Sequence, residues 1–236
     1  MNYDYQFCRL DTVTLAYIEK GEGEPLILLH GNGENSEYFE YQIEFFSRYY
    51  RVIAVDSRGH GRSERGSGEL TLQRIADDLF EFMNQLSIEK ANLLGFSDGG
   101  NIALLFALKH QEKIRKLIVN GANLDTKGVL AVFQAGVVAR HALLSLPARK
   151  SPEANLKREI LSLMIDQPDI TTDELSSVTV PTLVLAGTHD VIKRKHTEKI
   201  FSSLPDSRLC LIKGDHMIAR RNAEAFNKTV FEFLAE

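Results

Sequence analysis

Residues 95–99 read Gly-Phe-Ser-Asp-Gly, a serine between two glycines at G-x-S-x-G spacing. A serine hydroxyl is a weak nucleophile until a neighbouring base takes its proton and a third group holds that base in the right tautomer. With such partners the chemistry is acyl transfer. The motif needs a strand before it and a helix after it. Leu93-Leu94 supplies an apolar run before, and an apolar stretch from Asn101 follows. The turn is tight enough that side chains at the glycine positions would clash, and Gly100 lets the helix approach the sheet. The helix N-terminus then points its positive dipole end at charge developing near Ser97.

The partners are expected further along the chain, acid first and histidine second. Asp190 closes Gly187-Thr188-His189-Asp190 and His216 closes Gly214-Asp215-His216. Each follows an apolar run, Leu183–Ala186 and Leu209–Ile212 respectively. Ser97, Asp190 and His216 are therefore expected together at the carboxyl ends of strands, as nucleophile, orienting acid and general base. The chain has seven histidines. His30 and His60 precede the serine in glycine-rich turns, His110 and His141 fall in helical patterns, His189 is out of order for the base, and His196 lies in a charged helical stretch. Asp125 and Asp215 are the rival acids. A metal site built from His189, Asp190 and His196 lacks recurring ligand spacing, and the mechanism calls for no metal or cofactor.

His30-Gly31-Asn32-Gly33 follows the run Leu26–Leu29. Glycines there let backbone approach the serine, and the amides of Asn32 and Asp98 are the expected oxyanion donors. The polar stretch Asp56–Ser63 is not a phosphate-binding G-x-x-x-x-G-K-[ST] motif and reads as a structural turn.

These residues require a scaffold. The apolar runs Leu26–Leu29, Val52–Val55, Leu93–Leu94, Leu117–Val119, Leu183–Ala186 and Leu209–Ile212 do not alternate with polar residues, as expected of strands covered on both faces. Helical patterns lie between them, such as Leu72, Ile75, Leu79, Phe82, Met83 and Leu86, and a final segment from about Ala219 to Leu234. The fold class is α/β, a mostly parallel doubly wound sheet. Thr12–Ile18 alternates and, with the segment around Cys8, reads as an antiparallel edge hairpin; Cys210 falls on the last strand. The rhythm breaks from Asn123 to Ser177, where only helical patterns occur. Val129–Leu146 reads as one or two apolar helices ending at Pro147, Leu156, Ile160 and Met164 mark another, and Thr171 with Glu174 forms a capping-box pattern. Residues 1–122 and 178–236 thus form the core and 123–177 a helical cap insertion. Val132, Phe133 and Val137 are expected to form an apolar pocket wall over the serine.

The 236 residues suit one α/β core with a small insertion. Hydrophobic residues are 44%, charged residues 25%, and the formal net charge is −4 with no basic block, which argues against nucleic acid or anionic lipid as partners. The two cysteines read as buried reduced thiols. The N-terminus has no basic and apolar leader pattern, and no stretch is apolar enough to span a membrane, so a cytoplasmic enzyme acting on a small molecule is expected.

Taken together, His30–Gly33, Asp56–Ser63, Gly95–Gly99, Gly187–Asp190 and Gly214–His216, in that order, resemble the α/β-hydrolase superfamily from about Val13 to Phe233. The likeness is greatest to small esterase-like members with a short helical cap. It implies a substrate pocket beneath the insertion. Relatives with an aspartate nucleophile, the haloalkane dehalogenases and epoxide hydrolases, are excluded by serine at position 97. The resemblance implies hydrolysis of a small ester or related acyl compound through an acyl-enzyme. Carbon–carbon bond hydrolysis, perhydrolysis and a non-enzymatic small-molecule sensor are the alternatives.

Overall fold

The computed structural model describes residues 3–236. Eight strands form one sheet: β1 Tyr5–Arg9, β2 Thr14–Lys20, β3 Pro25–Leu29, β4 Arg51–Val55, β5 Ala91–Phe96, β6 Ile114–Asn120, β7 Thr182–Gly187 and β8 Ser207–Ile212. Their spatial order is β1-β2-β4-β3-β5-β6-β7-β8. β1 and β2 form the expected antiparallel edge hairpin and β2 pairs antiparallel with β4; all other pairs are parallel. The central strands explain the unbroken apolar runs. Every residue of β5 and β7 is buried, because helices cover both faces.

One face carries α2 Leu72–Gln85, α3 Asp98–His110 and α8 Arg194–Ser203, and its core includes Ile75, Phe82, Phe106 and Ile200. The other carries α1 Glu40–Phe46, α9 Ile218–Arg221 and α10 Ala223–Ala235, with Ile43, Phe46, Phe226 and Val230 inside. α2 buries Leu72, Ile75, Leu79, Phe82 and Met83 of the stripe read from its sequence, while Leu86 follows its last turn half-buried. The helix is capped by the Thr71 hydroxyl, which accepts from the Arg74 amide.

From β3 the chain first adds β4 on one side and then returns to add β5 on the other. Winding therefore reverses between β3 and β5. At such a point the connecting loops diverge and leave a crevice at the strands' carboxyl ends. The Asn32 loop follows β3 and Ser97 follows β5, so both border that crevice.

Between β6 and β7 the chain forms a short 3-10 turn, Thr126–Gly128, and four α-helices, and adds no strand to the sheet: α4 Ala131–Leu143, α5 Ser145–Ala148, α6 Pro152–Asp166 and α7 Thr172–Leu175. α7 opens with the complete Thr171/Glu174 capping box. No helix among the described residues is long and apolar enough to cross a membrane.

Three local expectations are corrected. Pro147 does not end the apolar helix. It sits inside the first turn of α5, where a missing N–H breaks no helical bond. The last helical segment is divided into α9 and α10 at Asn222, whose backbone leaves the helical region with φ −135° and ψ 51°. Cys8 is buried as expected but Cys210 is only half-buried, because β8 is an edge strand. Both thiols are free, on opposite edges of the sheet.

Candidate active site

Ser97 occupies the turn between β5 and α3 with φ 53° and ψ −119°. A positive φ strains a residue that carries a side chain, and such strain persists only where surrounding structure enforces it. Here Gly95 and Gly99 leave no alternative. A Cβ on Gly95 would meet the Gly99 carbonyl, and one on Gly99 would meet the Leu29 carbonyl. The Ser97 amide donates to the Asn120 carbonyl at 2.8 Å, which moors the turn to β6.

The His216 ring bridges the other two residues singled out in the sequence. Its Nδ1 lies 2.7 Å from Asp190 Oδ1 and its Nε2 lies 3.0 Å from Ser97 Oγ. Nδ1–H donating to the carboxylate leaves Nε2 free to accept the serine proton. Asp190 also accepts from the Ile192 amide at 2.9 Å and the Gly187 amide at 3.1 Å. Burial pushes its carboxyl up, but the bond and charge of His216 and the two amides outweigh it, and the group is held below the usual carboxylate range. Its side chain is 2% exposed, against 15% for His216. Both rival acids are engaged elsewhere. Asp215 pairs with Arg221 and accepts from the Met217 amide, while Asp125 accepts from the Gly128 amide.

Three other histidines have structural partners. His30 donates from Nδ1 to the Gly31 carbonyl at 2.8 Å and accepts at Nε2 from the Ser57 amide at 3.0 Å, bracing the loop that carries Asn32. His196 lies in the charged helix α8, as the sequence suggested, but is itself buried and accepts from the Leu124 amide at 2.9 Å. His60 stacks obliquely near His30 and donates from Nδ1 to the Arg58 carbonyl at 3.0 Å. The Asp56–Ser63 stretch packs as a structural turn. Asp56 accepts from the Ser36 and Arg62 amides, each at 2.7 Å, and Arg58 forms a buried pair with Asp78 at 2.6 Å.

Above Ser97 lies a cavity of about 990 Å³. Among the described residues, neither the Asn32 amide nor the Asp98 amide donates to a protein acceptor, and both residues line this cavity. Val132, Phe133 and Val137 line it too, but unequally. Val137 is 7% exposed, Phe133 42% and Val132 82%, so Val132 stands at the rim. The deeper apolar wall comes from Leu156, Ile160, Leu161 and Met164 on α6. The sequence marked that helix as amphipathic without assigning its apolar face to the pocket.

Two further features escaped the sequence. Gly121 follows β6 with φ +64°, and a Cβ there would fall 2.7 Å from His216 Cε1 and 2.8 Å from Nδ1. Its absent side chain is the space the imidazole occupies. Glu34 also lines the cavity, and burial raises its carboxyl to about 7. Asp98 is raised by burial to about 6, despite the hydrogen bond it accepts from Asn32.

A family profile described as the alpha/beta hydrolase fold matches residues 24–151. The chain is 30% identical over 256 residues to a mouse protein named serine hydrolase BPHL, covering 94% of this chain and 83% of that one. It is 29% identical over 201 residues to the (E)-2-((N-methylformamido)methylene)succinate hydrolase of Acinetobacter baylyi, covering 75% of this chain and 76% of that protein. In three dimensions it matches the crystal structure of the enol-lactonase from Burkholderia xenovorans LB400 with a TM-score of 0.82 and 24% identity, over 98% of this chain and 100% of that one. The eight-stranded sheet, the helices on both its faces and these matches agree, and the chain belongs to the alpha/beta hydrolase fold family.

Proposed function

We propose that the protein is a serine hydrolase acting on a small ester or related acyl compound. The observation that carries this reading is the unbroken relay from Asp190 through His216 to Ser97, with the serine opening onto a cavity beside two unengaged amides. Ser97 Oγ attacks the acyl carbon while His216 Nε2 takes its proton. Asp190 keeps Nδ1 protonated and stabilises the imidazolium that forms. The carbonyl oxygen becomes an oxyanion, and the amides of Asn32 and Asp98 donate to it. His216 then gives its proton to the leaving group, and water repeats the sequence on the acyl-enzyme.

The four helices between β6 and β7 act as the cap, residues 123–177 in extent, over a core of residues 1–122 and 178–236. They supply the apolar wall that holds the part of the substrate not reacting. The names of the mouse and Acinetobacter relatives, both hydrolases, support this class of reaction.

The test is turnover of p-nitrophenyl acetate together with labelling by a fluorophosphonate. Wild-type protein is expected to turn the ester over and to take one label, at Ser97. Ser97→Ala should lose both. Saturable ligand binding with no turnover of esters, vinylogous diketones or peracid precursors would instead identify a sensor. Turnover of the diketones but not of esters would move the scissile bond from C–O to C–C.

A further inference from the structure

The two amides assigned to the oxyanion hole belong to residues whose side chains are hydrogen-bonded to each other. Asn32 Nδ2 donates to Asp98 Oδ2 at 2.9 Å. The same nitrogen donates to the Ile160 carbonyl at 2.7 Å. A carboxamide nitrogen carries two hydrogens, so both are used. The first joins the loop after β3 to the start of α3. The second joins both to α6, in the insertion.

Asp98 is 6% exposed, and Asn32 is its one side-chain hydrogen-bond partner among the described residues. A largely buried carboxylate with a single side-chain donor loses much when that donor is removed. Ile160 is equally informative. Its carbonyl lies within α6 and receives Asn32 on its remaining lone pair, while its side chain lines the cavity. A substrate that presses on α6 therefore presses on a helix tied directly to the loop carrying one oxyanion amide.

Resting on the serine-hydrolase reading, we propose that the Asn32 carboxamide is a positioning residue: it sets the spacing of the two oxyanion amides and registers them against the insertion helix α6. The hole is then assembled by three segments and depends on the seating of the insertion. Residue type matters here. Aspartate at position 32 has the shape but no hydrogens to donate, and alanine has neither. Two amides on separate segments, one in the loop after β3 and one at the start of α3, with no backbone hydrogen bond of their own, need such a tie to stay convergent. A displacement near 1 Å in a catalytic geometry costs about a hundredfold in rate.

The experiment uses the full chain and a small ester, p-nitrophenyl acetate. Three quantities are read for wild type, Asn32→Ala and the isosteric Asn32→Asp: kcat and KM, the rate of fluorophosphonate labelling at Ser97, and amide hydrogen exchange across residues 152–166. Asn32→Ala is expected to lower kcat at least about tenfold with KM within about threefold, since an oxyanion contact is strongest in the transition state. Labelling should slow by a similar factor, because phosphonylation develops charge on the same oxygen. Exchange in α6 should quicken. Asn32→Asp, which turns acceptor oxygens toward Asp98 and Ile160, should be at least as slow and serves equally if the alanine variant does not fold.

The proposal is overturned if kcat stays within about threefold of wild type, if KM rises while kcat holds, or if exchange in α6 is unchanged. If wild-type protein is not labelled at Ser97, the nucleophile assignment fails and this proposal falls with it. If wild type is labelled and turns over but Asn32→Ala matches it, only the present proposal fails.

Discussion

The carboxyl edge of the sheet and the helical insertion differ in how firmly they are held. At the edge, Phe96, Asp98, Gly99, Gly100 and Asn120 are all buried, and Asp190 has three hydrogen-bonding partners for its carboxylate. In the insertion, α4 buries Val137 alone, while Val132, Phe133, Val138 and Leu143 are 42–82% exposed. The first region is a close-packed frame in which a single atom matters. The second is an apolar surface that can be re-cut. Chemistry assigned to the frame should be intolerant of change, and selectivity assigned to the insertion should be graded.

The sharpest way to break that contrast is at Asp190, the proposed orienting acid. Asp190→Asn should lower kcat by about four orders of magnitude in protein that still folds, because the histidine loses its correct tautomer. Steady-state kinetics with a circular dichroism control decides it. A nearly silent Asp190→Asn would remove the acid from the frame.

Next comes the packing behind the histidine. Gly121→Ala places a methyl where His216 now sits, at a backbone φ of +64°. The ring must move, and a loss of about a hundredfold in kcat is expected. Strain at that backbone position should add about 1–2 kcal/mol of destabilisation. An active Gly121→Ala would show that the edge tolerates rearrangement after all.

The buried histidines test the frame through pH. Burial, helped by the neighbouring His30, lowers His60 from 6.5 to about 3. Below pH 6.5 the unfolded chain binds a proton that folded His60 refuses. Its contribution to stability therefore declines as pH falls from 6.5 toward 3, by at most about 1.4 kcal/mol per pH unit. His60→Gln removes this titration. Relative to wild type, the variant should gain stability progressively over that window in urea unfolding. A difference independent of pH would mean that His60 is not held neutral in the folded state.

The smallest effects belong to the insertion. Val137→Ala and Leu156→Ala should reorder kcat/KM among ester chain lengths several-fold, since each lost methylene contact is worth roughly 0.8 kcal/mol. Val132→Ala, at the exposed rim, should change little. Equal losses for every ester would place these side chains in support of the frame instead. The Asn32 bond to Ile160 qualifies the contrast without removing it. It runs through the backbone of α6, so side-chain changes on that helix can alter selectivity while the tie persists.

The sequence by itself determined the elements and the candidates for chemistry. A glycine-flanked serine between an apolar run and a helix fits one kind of turn, and Ser97 is found there with positive φ. Unbroken apolar runs forecast a sheet covered on both faces, and the order of Ser97, Asp190 and His216 placed each at a strand's end. Turn geometry and burial patterns are local, so they leave local marks. Only the tertiary structure decided what depends on distances between segments remote in the chain. Asp190 became the partner of His216 while Asp215, one residue from it, turned to Arg221. Gly121 became the floor of the imidazole, although nothing around it in the sequence mentions residue 216. Asn32, read for its amide alone, acquired partners 66 and 128 positions away through its side chain. Cys210 stayed half-exposed because β8 ended the sheet. Hydrogen bonds and steric exclusion act over a few ångströms, and only the folded chain brings those residues within reach.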